Sequence, residues 1–549
     1  VVLKALASTQ ADRFQTAAEF SHALAGVAAT SISRPAERVP DRFPGSRRSS
    51  SRLVAVLGIG FLLGLGVLFA WRQFQPRSEE HGVKRIAVLP FQNLNQPGDE
   101  YFAAGVTDEV RGKLAALAGM QVIARSSSSR YAESSKNPEE IGRELGVEYL
   151  LTGTVRWDKQ KAGRSRVRVS PELVHAPSGS TRWQQSFEAP LTDVFQVQGD
   201  IAGRVAEALG VELASKQRER LAEKPTENLA AYDLYLRGQH AFHRRTAAGL
   251  TEARSFFEQA IARDPSFAPA YAGLADVYAV LPFWLDISPQ QTYPRAVAAA
   301  LQALRLDSTV GRAHGALADV RALYEWNWTA AERGFRRALE LDPNNANIHH
   351  WYGEDFLIVV GRKDEAVREG QRARELDPLT PVYGSTLAQT LLSIGRYDEA
   401  LSLVDGIISL DPKYPVAYEA RGRVFLHTGR YAEAVRAFQQ ALELAEGNAI
   451  TQSLLAYAYT RVARRSDAAR LLSKLETQAN REYASATALA IVHAGLGDTT
   501  AAFRWLETAA EQRDPFLLYF FVVDPILGGL RQHPRGQELL RRLNLPAVR

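Results

Sequence analysis

Three kinds of hydrophobic pattern follow one another along the chain. Leu53–Trp71 (LVAVLGIGFLLGLGVLFAW) runs nineteen residues without a charge, an amide or a proline. As a helix it would reach about 28 Å, close to the roughly 30 Å hydrocarbon core of a bilayer. It is apolar all round with no amphipathic neighbour to pack on, and fifty-two residues precede it, too many for the charged n-region of a signal peptide. The expectation is a transmembrane helix over 53–71. From Lys84 short apolar runs alternate with helical periods. Strands are expected over Arg85–Phe91, Tyr149–Arg156, Arg166–Val174 and Ser180–Phe187, and helices over Tyr101–Ala118, Glu139–Leu145 and Leu191–Leu213. This predicts a small α/β domain over 84–214, with a connector over 215–227. From 228 to 515 the apolar spacing is helical throughout.

That last region repeats. Asp264, Asp307, Asp342, Asp377, Asp411 and Asp514 end successive units, most of them followed by proline, with Ala445 and Ala479 at the equivalent places. The steps are 43, 35, 35, 34, 34, 34 and 35 residues. Within Val416–Leu444, Gly422, Ala434 and Ala441 are small where two helices must approach, and Tyr418, Phe425, Tyr431 and Phe438 fill the space between units. Gly429 ends the first helix. Spacing and residue types resemble the tetratricopeptide (TPR) family, which implies about eight helix pairs in a right-handed solenoid with a concave groove. The step of 43 places Pro282–Pro294 as an extended loop, its Phe283, Trp284 and Tyr293 forming either a binding lip or edge packing. Trp326 and Trp328 stand in place of the usual Gly-x-Tyr and read as core. DPILGGLRQHPRGQELLRRLNLP resembles the ending of such arrays, so 516–549 is expected to cap the last repeat.

Two further resemblances concern the rest of the chain. LKALASTQADRFQTAAEFSHAL (residues 3–24) resembles the closing helices of bacterial eukaryotic-type Ser/Thr kinases, with Arg13 matching the arginine that pairs with the glutamate of an APE motif. Residues 1–26 then read as the remnant of a kinase lobe, with the catalytic part expected before Val1. LPFQNLNQPGDEYFAAGVTDEV, VIARSSSSRYA and IGRELGVEYLLTGTVR resemble the domain preceding TPR arrays in bacterial receptor kinases, adenylate cyclases and winged-helix regulators, related to the N-terminal domain of the TolB family. That resemblance implies a fold and carries no catalytic residues. The fold class expected is multidomain: a single transmembrane helix, a small α/β domain, then an all-α TPR solenoid.

Charge refines this picture. The net charge is +5, and the Ser/Arg/Pro-rich linker 27–52 carries six arginines against Glu37 and Asp41, so the basicity is a juxtamembrane feature and not a nucleic-acid face. It could touch anionic membrane lipid. The arginine bias places the N-terminal side in the cytoplasm, and the segment 72–83 and the array outside, as a single-pass protein of a bacterial inner membrane. Gly60 and Gly64 form a GxxxG face that would support a homodimer.

Candidate chemistry is sparse. The chain has no cysteine, which excludes disulfides, thiolate metal sites and cysteine nucleophiles. No glycine-rich loop, VAIK lysine, HRD or DFG is present, so no kinase chemistry is expected of this chain. Gly105–Lys113 fails as a P-loop because its spacing is wrong and Leu114 replaces the magnesium-binding hydroxyl. Ser126–Ser129 reads as an anion cradle or, more simply, a loop or helix cap. His240 with His243 and His349 with His350 lack convergent partners for a metal, and no cofactor is expected. The site expected is the groove, at Ser385, Gln389, Glu419, Arg423, His427, Tyr457 and Arg461, taking a protein or peptide. These residues do not reproduce the lysine and asparagine clamp of chaperone-binding TPR proteins. The function expected is a sensing and docking region of a Ser/Thr kinase; the alternative is a non-enzymatic tethered scaffold.

Overall fold

The computed structural model describes residues 83–546 apart from 96–99, 133, 159–165, 191–192, 223, 225, 286, 446–447 and 482. The sheet domain contains β1 (Lys84–Val88), β2 (Gln92–Asn93), α1 (Glu100–Ala115), β3 (Met120–Val122), α2 (Arg125–Ser128), α3 (Pro138–Leu145), β4 (Tyr149–Asp158), β5 (Arg166–His175), β6 (Ser180–Gln184), β7 (Phe187–Pro190) and α4 (Val194–Ala208). A connecting helix, α5 (Ser215–Ala222), follows. Among the described residues the sheet has seven strands in the order β3-β1-β4-β5-β6, with β2 beside β4 and β7 beside β5. β1 lies parallel to β3 and β4, whereas β5 is antiparallel to its neighbours. The two-residue period sorts β1: Ile86 and Val88 join the core under α1 and α4, and Ala87 joins the opposite core under α3. Covering both faces explains why β1 reads as a continuous apolar run.

The array follows as eight helix pairs among the described residues. They are α6 (Leu229–His243) and α7 (Ala247–Arg263), α8 (Ala268–Trp284) and α9 (Pro289–Leu306), α10 (Gly311–Leu323) and α11 (Trp328–Leu341), and α12 (Ala346–Trp351) and α13 (Lys363–Leu376). Then come α14 (Pro381–Ser393) and α15 (Tyr397–Leu410), α16 (Pro415–His427) and α17 (Tyr431–Leu444), α18 (Ala449–Arg461) and α19 (Arg465–Ala479), and α20 (Ala486–Leu496) and α21 (Thr499–Gln512). The recurring aspartate has a local cause. At Asp264, Asp307 and Asp411 the backbone leaves helical geometry, and the carboxylate accepts the N–H two residues on, at 2.9, 2.8 and 3.1 Å. Each is an Asx turn that stops one helix and aims the next. The small positions also have a cause: a Cβ on Gly422 would lie 2.5 Å from the Phe438 ring.

The step of 43 corrects one expectation. Pro282–Pro294 is not an extended loop, because α8 runs to Trp284 and α9 starts at Pro289. The added residues lengthen both helices. Phe283 turns inward toward Phe516 and Tyr519, and Tyr293 is fully buried. Trp326 and Trp328 are buried core.

The transmembrane helix and the single-pass membrane placement are also corrected: among the described residues no helix is long and apolar enough to cross a membrane. Even the apolar α8 has 17 residues, short of the roughly 20 that a span needs, and buries Asp276 among neighbouring helices. Leu53–Trp71, with Gly60 and Gly64, lies outside the described residues, as do residues 3–24 and the linker 27–52.

Sheet domain and array meet in a polar seam. The Ser126 and Ser127 hydroxyls both donate to the fully buried Asp377 carboxylate, and the Leu379 N–H donates to Ser127 Oγ at 2.7 Å. Asn344 Nδ2 donates to the Ala115 and Met120 carbonyls at 2.7 and 3.0 Å. The serine run is a short helix whose hydroxyls are taken up by the chain's own Asp377 carboxyl, which burial raises against these hydrogen bonds. Asp377→Ala should strand both hydroxyls and lower stability by about 2 kcal/mol in urea unfolding, since a buried group left without its hydrogen-bond partner costs about 1–3 kcal/mol.

Candidate peptide-binding site

The segment after α21 determines how much of the groove is open. Two 3-10 or π turns and two short helices, α22 (Gly528–Gln532) and α23 (Pro534–Arg542), make up this tail. α23 covers the last pair: Arg535 pairs with Glu507 at 2.8 Å and His533 packs on Phe503. The tail also reaches back to the second and third pairs. Trp328 Nε1 donates to the Leu543 carbonyl at 3.0 Å and the Arg513 guanidinium lies 3.6 Å over the Trp326 ring, while the end of α21 adds the Glu511 carbonyl, bonded by Gln290 at 3.1 Å.

Arg423 and His427 are absorbed by this closure. Asp524, 1% exposed, receives Arg423 Nη2 at 2.5 Å and Nε at 3.2 Å, and lies 2.8 Å from His427 Nε2. Arg423 Nη1 reaches Gln389 Oε1 at 2.7 Å, and its guanidinium stacks over Phe520 at 5.0 Å. Burial alone would raise the Asp524 carboxyl, but Arg423 and His427 hold it well below the usual carboxylate range.

Between the tail and the first helices of the pairs lies a cavity of about 400 Å³. Its walls come from the ends of α8, α12, α14, α16 and α18 and from the tail. Of the residues expected in the groove, Gln389, Glu419 and Arg423 line this cavity. Ser385 is fully buried, and its Oγ approaches the Tyr414 hydroxyl at the cavity wall without completing a hydrogen bond. Tyr457 and Arg461 are not in the lining: Arg461 bonds the Tyr431 hydroxyl at 3.0 Å, and Tyr457 packs where a Cβ on Gly495 would lie.

Two turns missed by periodicity give the cavity its character. α12 continues as a π-helical turn, Tyr352–Leu357, and the tail contains another, Leu518–Val523. They meet where the Tyr519 hydroxyl donates to Asp355. π turns interrupt the regular helical spacing and recur at functional sites. The first carries Glu354 and Asp355 into the lining; the second carries Tyr519 and Phe520. Burial pushes the Asp355 carboxyl up to about 6, with Asp319 and Tyr519 hydrogen bonds opposing it. Burial and the neighbouring Asp355 push Glu354 well up. Burial raises Glu419 as well, against a Thr451 hydrogen bond and the Arg423 charge. His350, also in the lining, is pulled down to about 3 by burial and by Arg245, so it is neutral at pH 7.

A second cavity, about 770 Å³, opens between the β1 and β2 ends, α1, α2 and His240. Its charges satisfy one another: Asp108 pairs with both Arg111 and Arg125, and Arg125 also bonds His240 Nδ1 at 3.0 Å. Burial pulls the Arg125 guanidinium down to about 10. His349 pairs with Glu369 at 2.5 Å and sits 3.0 Å from the Pro343 carbonyl, a structural position. Among the described residues no group of three or more His, Asp or Glu could hold a metal ion.

A tetratricopeptide repeat family model matches residues 385–449, which span α14 to the start of α18. The helical region is a TPR array. A curated relative, "Putative adenylate cyclase 3" of Rhizobium meliloti (strain 1021), is 31% identical over 237 residues, 42% of this chain. The match spans 39% of that relative's own length. Among solved structures, the yeast Tom70 is 17% identical, covering 64% of this chain and 82% of that one, with a TM-score of 0.36. PilW, a type IV pilus biogenesis factor, is 19% identical over 39% of this chain and 94% of its own, at 0.33. YrrB, a TPR protein with an unusual peptide-binding site, is 23% identical over 34% of this chain and 92% of its own, at 0.25.

Proposed function

We propose that the array is a docking module for a protein segment, and that the segment enters the cavity between the inner helices and the tail. The observation that carries this reading is the convergence of five first helices and the tail on one cavity of about 400 Å³, within the range of about 300–1,000 Å³ that small ligands and side-chain anchors occupy. Burial of an aromatic or charged anchor in such a pocket is how small interfaces acquire affinity.

In this reading the chain itself is not catalytic and serves as the sensing or docking part of a larger signalling protein. A Ser/Thr kinase is the partner domain favoured by the residues 3–24 pattern. The cyclase-named relative supports the more general idea that one such region can serve different catalytic domains. The second reading is a scaffold without any kinase, in which the residues 3–24 pattern is a plain amphipathic helix or a decayed remnant.

Selection of a displayed peptide library on the full chain tests the docking reading. Enriched peptides should bind the wild type and lose at least about tenfold in affinity to Val416→Trp, which fills the cavity. No enrichment, or equal binding to the filled variant, overturns the reading.

A further inference from the structure

We infer that the cavity recognises a cation, the guanidinium or ammonium group of an arginine or lysine side chain on the docked segment. This rests on the docking reading and specifies its anchor.

The charge balance is the first observation. Glu354, Asp355 and Glu419 line the cavity. The basic side chains among the described lining residues are Arg245, His350 and Arg423. Arg423 is spent on Asp524. Arg245 is held by Asn347 Oδ1 at 2.8 Å and lies over the Phe242 ring at 4.3 Å. His350 is neutral, so its 3.4 Å approach to Glu354 supplies no counter-charge. With Arg423 committed to Asp524, three carboxyls face the one remaining cation, Arg245; burial disfavours their charged form in the empty cavity, and a bound cation would draw them into it.

The wall is the second, independent observation. Trp284, Trp351, Phe516, Tyr519 and Phe520 bound the same cavity. Aromatic faces attract a cation electrostatically, by about 2 kcal/mol or more where water is excluded. Carboxylates and ring faces together bind an organic cation and disfavour an anion or a plain aliphatic group. The two π turns place one carboxylate pair and two of the rings there, so the combination depends on the irregular backbone and not on the repeat pattern.

The probes are three acetylated, amidated pentapeptides, Gly-Gly-X-Gly-Gly, with X as arginine, norleucine or glutamate, titrated calorimetrically into the full chain. The arginine peptide should bind at least about tenfold tighter than the norleucine peptide, and the glutamate peptide weakest. Glu354→Gln with Glu419→Gln should abolish the arginine preference while leaving norleucine binding unchanged. These substitutions keep shape and abolish the charge that a bound cation would draw out, while burial disfavours that charge in the empty cavity, so the variant should melt no lower than wild type. Equal affinity for arginine and norleucine, a preference that survives in the variant, or no binding by any probe overturns the cation inference. The docking reading falls separately, on failure of the library selection.

Discussion

Arg423→Ala should lower the stability of the folded chain by about 3–5 kcal/mol, because it leaves Asp524 as a buried charge without its main partner. The pair is 4% and 1% exposed, so neither group has solvent to fall back on. Calorimetric or urea unfolding at neutral pH reads the loss. Its pH dependence follows from the depressed Asp524 carboxyl. A carboxyl lowered in the fold contributes stability that is present above its unfolded value of about 4 and lost as pH falls through the folded value. The wild type should therefore weaken only in strong acid. In the variant Asp524 takes a proton more readily, so the gap between the two proteins should narrow as pH falls toward 4. Arg423→Met combined with Asp524→Leu should cost less than the sum of the single changes, since apolar replacement of both partners removes the uncompensated charge. A deficit below about 1 kcal/mol for Arg423→Ala would mean that the tail does not close on α16.

This pair also marks where the sequence stops being informative. The repeat period is legible because each unit solves one local problem: two helices approach at Gly422 and its equivalents, and in most units an aspartate, replaced by Ala445 and Ala479 in two, stands where the chain turns. The strands are legible for the same reason, since pleat alternation is local. Of the seven first-helix positions expected in the groove, Gln389, Glu419 and Arg423 share a cavity, while Ser385, His427, Tyr457 and Arg461 are not in its lining. What periodicity cannot supply is occupancy. Arg423 meets Asp524 101 positions away, and Ser127 meets Asp377 250 positions away, because the array curves back on itself and against the sheet domain. Glu354 and Asp355 were missed because a π turn shifts their register from the one a 3.6-residue period assigns. A signal was present nonetheless: two adjacent acids in an otherwise apolar stretch, WYGEDFLIVV, are costly unless something uses them.

The other large effect lies in the first two pairs. Phe257→Ala should cost about 3–5 kcal/mol, the usual range for deleting a buried phenylalanine ring. The ring is fully buried between two glycines: a Cβ on Gly238 would lie 2.7 Å from it and one on Gly273 2.6 Å. Neither glycine has a side chain to move into the vacated space, so the site collapses poorly and the cost should fall at the upper end. The loss should spread toward the sheet domain, because α6 also inserts Leu236 against Gly105 of α1. Repeat units are stabilised by nearest neighbours, so α6 and α7 should then unfold ahead of the later pairs, visible as faster hydrogen exchange over 229–263. The two glycines supply a test by sign. In the wild type Gly238→Ala should destabilise, since its methyl would strike the ring; in the Phe257→Ala background the same change should recover stability by filling the gap and favouring the helix. If Gly238→Ala destabilises equally in both backgrounds, the ring is not what holds α6 against α8.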